Sequence, residues 1–284
     1  MFEPALVPVG PDGLPDRNDH DREQTLLAAI AQEPKGVVVA FSGGVDSSYV
    51  LYAAVRALGV GRVRAVMGVS PSVPTVQREQ ARGVAAGLGV PLEEISTAET
   101  SDPRYQANLG NRCFFCKDEL YARMAELVLN GDLPVLDGTN ADDVGGHRPG
   151  HEAARIRLVR SPLLEHGLGK AAIRRLSRRA GLPTADLPSS PCLASRFPAG
   201  VPVTEEGLAR VEAAEAHIRG LGFVEFRVRH HGDVARLEVT AADFVRILGA
   251  EVRGSIDARL RALGSRFVAV DLGAFASGRG STQA

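Results

Sequence analysis

Short apolar runs alternate along the first half of the chain with longer stretches whose apolar residues recur every third or fourth position. Residues 36–41 (GVVVAF) form an unbroken apolar run of strand length, the pattern of a strand buried on both faces. Helical spacing starts near Arg22, with Leu26, Leu27 and Ile30, and resumes over 47–58, where Val50, Leu51, Ala54, Val55 and Leu58 share a stripe. The alternation continues as a strand at 62–69, a helix at 75–88, a strand at 92–96, a helix at 118–129 and a strand at 134–138. Strands separated by helices predict an α/β fold: a doubly wound parallel sheet with ligands at the carboxyl ends of its strands.

The pattern changes after about Ala180. A Pro/Ser-rich stretch at 182–202 leads to a long helical pattern at 204–221. Two alternating strands follow at 223–229 and 234–239, with His230-His231-Gly232-Asp233 as the hairpin turn. Helical segments at 242–248 and 256–263 precede a last strand at 267–270. The expected organisation is a loose leader (1–21), a nucleotide-binding domain (22–181) and a linker loop (182–202). A smaller C-terminal α+β domain (203–275), for substrate binding or oligomerisation, and a disordered tail (276–284) complete it.

With 284 residues and 44% hydrophobic content, the chain can bury one large core or two smaller ones. Its formal net charge of −1 lacks the basic excess of a dedicated nucleic-acid binder, so a small-molecule substrate is expected and no nucleic acid. No apolar stretch is long enough to span a bilayer, and the first residues lack a secretory pattern. A cytoplasmic protein without a membrane partner is expected. Thiols stay reduced in that compartment, and three cysteines is an odd count, which favours metal binding or catalysis over disulfides.

The strand at 36–41 runs into Ser42-Gly43-Gly44-Val45-Asp46-Ser47-Ser48 and then into a helix. Glycines let backbone amides approach an anion, the helix N-terminus favours negative charge, and Ser42, Ser47 and Ser48 add hydroxyl donors. Asp46, a carboxylate beside phosphates, makes sense as a Mg²⁺ ligand. A bare Gly-rich turn with a Ser or Asp cap would be commonplace, but the full SGGxDS after VVVAF is far more restrictive. It is neither a Walker A loop, lacking Gly-Lys-Ser/Thr, nor a dinucleotide GxGxxG. Residues 137–143 (DGTNADD) close the fourth predicted strand. There Gly138 and Asn140 stand at the ligand-binding edge, and Asp142 with Asp143 is either a metal-holding pair or a solvated helix cap. Arg160-Ser161-Pro162-Leu163 with Lys170 resembles the downstream element of the N-type ATP pyrophosphatases, in which basic residues face the phosphates; Lys170 alone would read as a surface residue.

Cys113-Phe114-Phe115-Cys116 is a CxxC, open to three readings: a zinc half-site, a redox pair or two ligands of an iron–sulfur cluster. Zinc would need Cys192 and a fourth ligand such as His147 or His151. Three thiolates on a cubane with one open iron account for the count more economically. Cys192 sits in Pro191-Cys192-Leu193-Ala194-Ser195-Arg196-Phe197-Pro198, a polar loop that suits a reactive thiol better than a buried structural one. Arg227 and Arg229 lie two apart on a strand and share a face. With Ser195 and Arg196 they could grip a phosphate, balanced by Glu215 and Glu238; spacing alone equally fits a solvated charged face.

The SGGVDSS loop resembles the PP-loop of the N-type ATP pyrophosphatases, which includes GMP synthetase, NAD synthetase and the tRNA thiolases. That resemblance implies ATP as an adenylating reagent, with release of pyrophosphate. The combination of SGGVDSS, DGTNADD, RSPL and above all SPCLASRFP resembles the LarE family, over about residues 22–275. LarE enzymes adenylate a carboxylate of pyridinium-3,5-dicarboxylic acid mononucleotide and displace AMP with sulfur, twice. The product is the thiocarboxylate precursor of the nickel-pincer nucleotide of lactate racemase. The resemblance makes Cys192 the sulfur centre and matches Arg227 and Arg229 to the substrate-phosphate cluster. Single-cysteine members sacrifice their own sulfur and are left with dehydroalanine. Cys113 and Cys116 depart from that pattern and resemble the three-cysteine subgroup, in which the thiolates hold a [4Fe-4S] cluster with sulfide on its open iron. A sulfide donor or other nickel-pincer pathway proteins are the implied partners, and the implied assembly is a homo-oligomer, with a hexamer as one candidate. The competing classes are a tRNA thiolase, which would need an RNA-binding surface, an ammonia-using synthetase and a non-enzymatic AMP-binding scaffold.

Overall fold

The structure is a computed structural model that describes residues 17–128, 133–143, 149–188 and 190–275. Four parallel strands, β1 (Val37–Ala40), β2 (Val63–Val69), β3 (Leu92–Ser96) and β4 (Val135–Leu136), form one sheet in the order β3-β2-β1-β4. The VVVA run earns its central place by facing two cores. Val37 and Val39 pack with helices Arg17–Ala31, Val45–Leu58 and Lys170–Arg179, through Leu26, Leu51 and Ile173. Val38 points the other way, into Val66, Tyr121, Met124 and Ala154. The α/β doubly wound expectation therefore holds.

The chain proceeds outward from β1 to β2 and β3, then returns to place β4 on the other side of β1. This reversal opens a crevice between the carboxyl ends of β1 and β4, where open α/β sheets bind ligands. The loops after these two strands are the SGGVDSS segment and residues 137–140.

A separate sheet of three strands follows, β5 (Phe226–His231), β6 (Val234–Val239) and β7 (Phe267–Val270), with β5 antiparallel and β7 parallel to β6. Its core combines Phe226, Val228, Leu237 and Val239 with Ile218 of helix Glu205–Gly220 and Ile256 and Leu260 of helix Ala250–Ala262.

Several boundaries differ from expectation. The helix expected from 118 begins at Arg112, which places both cysteines of the CxxC on its opening turns. Residues 17–21, expected in a loose leader, are helical, and Asp19 is buried against Arg175; residues 1–16 lie outside the described residues, as does 276–284. β4 is only two residues long because Asp137 leaves the ladder, its carboxylate accepting the Thr139 N–H at 3.0 Å. His230 and His231 pair with Ala235 and Val234 as strand residues, so the turn is Gly232-Asp233 alone, with Gly232 at φ +64°. Helix Lys170–Arg179 went unpredicted, since five of its ten residues are basic and only a narrow Ala172, Ile173, Leu176 stripe is apolar. No helix among the described residues is long and apolar enough to cross a membrane.

Candidate functional site

Gly43, at φ +74°, makes the turn after β1, and a Cβ there would stand 2.9 Å from the Cα of Ala81. Two glutamines of helix Thr75–Gly87 take the loop's carbonyls: Gln77 donates to Ser42 O at 3.0 Å and Gln80 to Gly43 O at 2.6 Å. With these carbonyls held by the glutamines, the Ser42 and Gly44 amides bond the Ser47 and Ser42 hydroxyls within the loop. Ser47 braces the turn internally, its Oγ accepting from Ser42 N at 3.2 Å and lying 3.1 Å from Ser42 Oγ. Across the crevice, a Cβ on Gly138 would meet Ser47 N at 2.8 Å, so only glycine lets the β4 loop come this close.

Asp46 opens the helix Val45–Leu58 and pairs through Oδ2 with Lys170 Nζ. Burial pushes the Asp46 carboxyl above its usual range, against the pull of Lys170. Its Oδ1 is buried without a hydrogen-bond partner among the described residues. A buried, orphaned carboxylate oxygen beside an anion loop is the donor a hard divalent cation takes, so the residues fit Mg²⁺. Lys170 is aimed by a cap: Asp142 accepts its backbone N–H at 2.7 Å. Asn140 accepts from Asp142 N at 2.9 Å, and Asp143 accepts from Asn140 N at 3.2 Å, so these residues build the turn Ala141–Asp143 from which Asp142 caps the Lys170 helix. Arg160 stands apart: its guanidinium is held by Glu33 at 2.7 Å and Glu165 at 2.9 Å, not by the loop. Ser48 is fully buried under the loop.

The cysteines form a second cluster. Cys116 and Cys192 pack with Tyr105, Leu193 and Phe197. Burial pushes the Cys116 thiol well up, with Glu99, Cys192 and Cys113 adding to the effect. Cys113 is exposed as a residue, yet desolvation of its thiol and the nearby Cys192 push it up, opposed by Arg112 and Lys117. Cys113 and Cys116 thus resist ionisation, and a polycationic centre is what would reverse that. Among the described residues no three His, Cys, Asp or Glu side chains converge on a single ion. His147 lies outside the described residues.

Asn108 brings the linker loop to the CxxC helix. It is buried in the left-handed region at φ +52°, and its Nδ2 donates to Pro198 O at 2.7 Å and Val201 O at 2.9 Å. Gly200 N returns a bond to Asn108 O at 2.9 Å, and Leu193 N bonds Ser72 O at 2.8 Å. Asn108→Ala would strand buried carbonyls and strain the backbone; we expect urea unfolding to show a loss of about 2–4 kcal/mol.

The Arg residues behave differently from one another. Arg196 is buried, forks onto Glu215 at 2.8 and 2.9 Å, and donates to Pro191 O, Cys192 O and Ser195 Oγ. Expected to grip phosphate, it instead uses these donors to shape the loop that carries Cys192. Arg229 forks onto Glu238 at 3.0 and 2.7 Å and donates to Ser195 O at 2.9 Å. Arg227 lies over the Phe275 ring, and burial, then Arg196 and Arg229, push its guanidinium down to about 10.

The two clusters meet on one helix. Lys117, next to Cys116, reaches Asp137 at 3.3 Å, and Tyr121 Oη donates to the same carboxylate at 2.9 Å. Burial disfavours the Asp137 charge, but Lys117, Ser161 and Thr139 outweigh it and hold the carboxyl low.

The family profile of NAD synthase matches residues 23–129. The chain is 39% identical over 243 residues to an uncharacterised protein of Synechocystis sp., covering 85% of this chain and 90% of that one. It is 35% identical over 259 residues to pyridinium-3,5-bisthiocarboxylic acid mononucleotide synthase of Lactiplantibacillus plantarum, covering 91% of this chain and 93% of the relative. The chain belongs to the LarE family. An NH(3)-dependent NAD(+) synthetase of Hyperthermus butylicus is 34% identical over 173 residues, or 56% of this chain and 59% of that one. As a LarE protein with a PP-loop, the chain is an ATP-dependent enzyme. The sequence motifs place residues 42–48 directly after β1, Cys113 and Cys116 on one helix, and Arg227 and Arg229 on β5. Gln77, Gln80, Glu99 and Asn108 carry no local signal, because each acts on residues distant in the chain.

Proposed function

We propose that the protein activates a carboxylate of pyridinium-3,5-dicarboxylic acid mononucleotide with ATP and replaces the activated oxygen with sulfur. The carrying observation is that helix Arg112–Val128 presents Cys113 and Cys116 beside Cys192 while its Lys117 is fastened to Asp137 at the phosphate crevice. Activation and sulfur delivery share one rigid element.

In the first half-reaction a substrate carboxylate oxygen attacks the α-phosphorus of ATP and pyrophosphate leaves. The Gly43 amide and the N-terminus of helix Val45–Leu58 receive the departing charge. Asp46 would hold Mg²⁺, which would supply charge neutralisation at the phosphates, Lys170 neutralises charge at the loop, and Gly138 lets the β4 loop lie against it. In the second, sulfur attacks the acyl carbon and AMP leaves with the electron pair, giving the thiocarboxylate. Cys192 is the centre of that step, with sulfur drawn from a delivered sulfide and not from its own Sγ. When bound to Cys113, Cys116 and Cys192, a [4Fe-4S] cluster supplies an open iron for sulfur chemistry. The protein works in the cytoplasm as a homo-oligomer fed by a sulfide donor.

Anaerobic single turnover with ATP, Mg²⁺ and the dicarboxylate mononucleotide tests the reading. Pyrophosphate and thiocarboxylate should form together, with the protein's intact mass unchanged. Loss of the elements of hydrogen sulfide from Cys192 would establish a sacrificial reaction, and pyrophosphate without any thiocarboxylate would overturn sulfur transfer.

Arg227 and Arg229 hold the mononucleotide phosphate in this scheme. Arg227→Ala removes a charge-assisted contact made equally in the ground and transition states, so KM for the mononucleotide should rise about 10- to 100-fold with kcat little changed in steady-state assays.

A further inference from the structure

Helix Glu205–Gly220 is bonded both to the elements around the parallel sheet and to the three-stranded sheet. Its start is fixed: Thr204 Oγ1 accepts the Gly207 N–H at 3.0 Å, and Val203 N donates to Gln106 O at 2.9 Å. Glu205 Oε1 accepts from the buried Thr100 hydroxyl at 3.0 Å. Seven residues on, and so on the same face, Glu212 Oε1 accepts the backbone N–H of Thr75 at 2.7 Å. Three residues further, buried Glu215 forks onto Arg196 and accepts the N–H of Val228 at 3.2 Å. Val228 stands between Arg227 and Arg229 on β5.

The bond to Thr75 caps a helix that cannot cap itself. Thr75 opens helix Thr75–Gly87, and Pro74 before it makes no side-chain cap bond. The first N–H groups of a helix have no intrahelical acceptor, and a carboxylate there holds the opening turn. Here the acceptor comes from 137 residues away. That opening turn carries Gln77 and the next carries Gln80, the two side chains that hold Ser42 O and Gly43 O. Within one turn of a single helix, Glu212 thus secures the phosphate loop through the glutamine helix, and Glu215 secures the arginine strand. Glu205 and Glu212 lie about 10 Å apart along the helix axis, and two such ties fix the direction of a rod.

We propose that Glu212 is a positioning residue for the activation step, setting the spacing between the loop that holds ATP and the arginines that hold the mononucleotide. This rests on the activation chemistry given under Proposed function and adds what keeps its two sites in register. Each site is complete without Glu212, so each substrate still binds when that residue is lost. The reacting oxygen and the α-phosphorus meet only if the spacing holds, and a misplacement of about 1 Å can cost about a hundredfold in rate. The defect belongs in the rate at saturation and not in the concentrations for half-saturation.

The test is single-turnover pyrophosphate release by the full chain with ATP, Mg²⁺ and the dicarboxylate mononucleotide, each varied to saturation. Glu212→Ala should slow the saturated rate about 10- to 100-fold, with half-saturation for each substrate within about threefold of wild type. Glu212→Gln keeps an amide oxygen as acceptor and should recover the rate to within about fivefold of wild type. Thr75→Pro removes the donor at a first helical position, where proline is tolerated, and Pro74 already has the ψ of 141° that a following proline needs. It should match Glu212→Ala, and the double variant should be no slower than either single one. Amide hydrogen exchange at residues 76–80 should rise in Glu212→Ala and stay near wild type in Glu212→Gln. A saturated rate within about threefold of wild type in either folded single variant, or additive losses in the double, would overturn the proposal. So would a defect confined to half-saturation, or Glu212→Gln as slow as Glu212→Ala. Wild type that releases no pyrophosphate with this mononucleotide would sink the substrate reading instead. The tie itself would then stand or fall on the exchange at residues 76–80, which needs no substrate.

Discussion

Cys192→Ala is expected to abolish thiocarboxylate formation, by at least about a thousandfold, while single-turnover pyrophosphate release survives. The split follows from where the residue lies. Cys192 belongs to the linker loop shaped by Arg196 and Asn108, and the phosphate loop makes its bonds to helix Thr75–Gly87 and to Lys170. Adenylation therefore has all its residues without the thiol. A stalled variant should accumulate acyl-adenylate, detectable by quenching with hydroxylamine. Thiocarboxylate production within tenfold of wild type would remove Cys192 from the reaction.

Lys170→Ala should produce the converse defect, a fall of about 10²- to 10³-fold in substrate-dependent pyrophosphate release. Lys170 is the cation paired with Asp46, and Asp142 fixes its helix so that the ammonium faces the loop. Its removal leaves the developing pyrophosphate charge without a fixed counter-charge and leaves Asp46 as a bare carboxylate beside phosphates. Sulfide binding, measured separately, should be unaffected, since the thiol pocket makes no bond to Lys170 among those described. Pyrophosphate release within a few-fold of wild type would reduce Lys170 to an ordinary surface ion pair.

Much of this arrangement is readable along the chain, and the limits have a physical pattern. The first sheet is legible because buried parallel strands demand continuous apolar runs, as in Val37-Val38-Val39, and the loop is legible because close backbone approach demands glycine, as at Gly43 and Gly138. Helix Arg112–Val128 begins six residues before its amphipathic stripe becomes evident, because Phe115 and Cys116 pack with Tyr105, Leu193 and Phe197 and not with the main core. Polar residues are the hardest to assign. Arg196 and Arg229 look equivalent as charges beside a phosphate, yet burial makes the first a brace for its own loop. Asn108 and Glu99 look like surface residues until residues 72 and 198–201 arrive from far along the sequence.

Asp137 carries a consequence for how the two half-reactions are matched. Its carboxylate takes Lys117 and Tyr121 from the cysteine helix and Thr139 and Ser161 from the nucleotide side. That four-point knot fixes the span between the place where AMP is attached and the place where it is displaced. An acyl-adenylate is a hydrolysable ester-like species, and every moment it spends out of reach of sulfur is an opportunity for water. A fixed, short path keeps ATP consumption in step with sulfur delivery, so the buried knot governs the yield of the enzyme more than its speed.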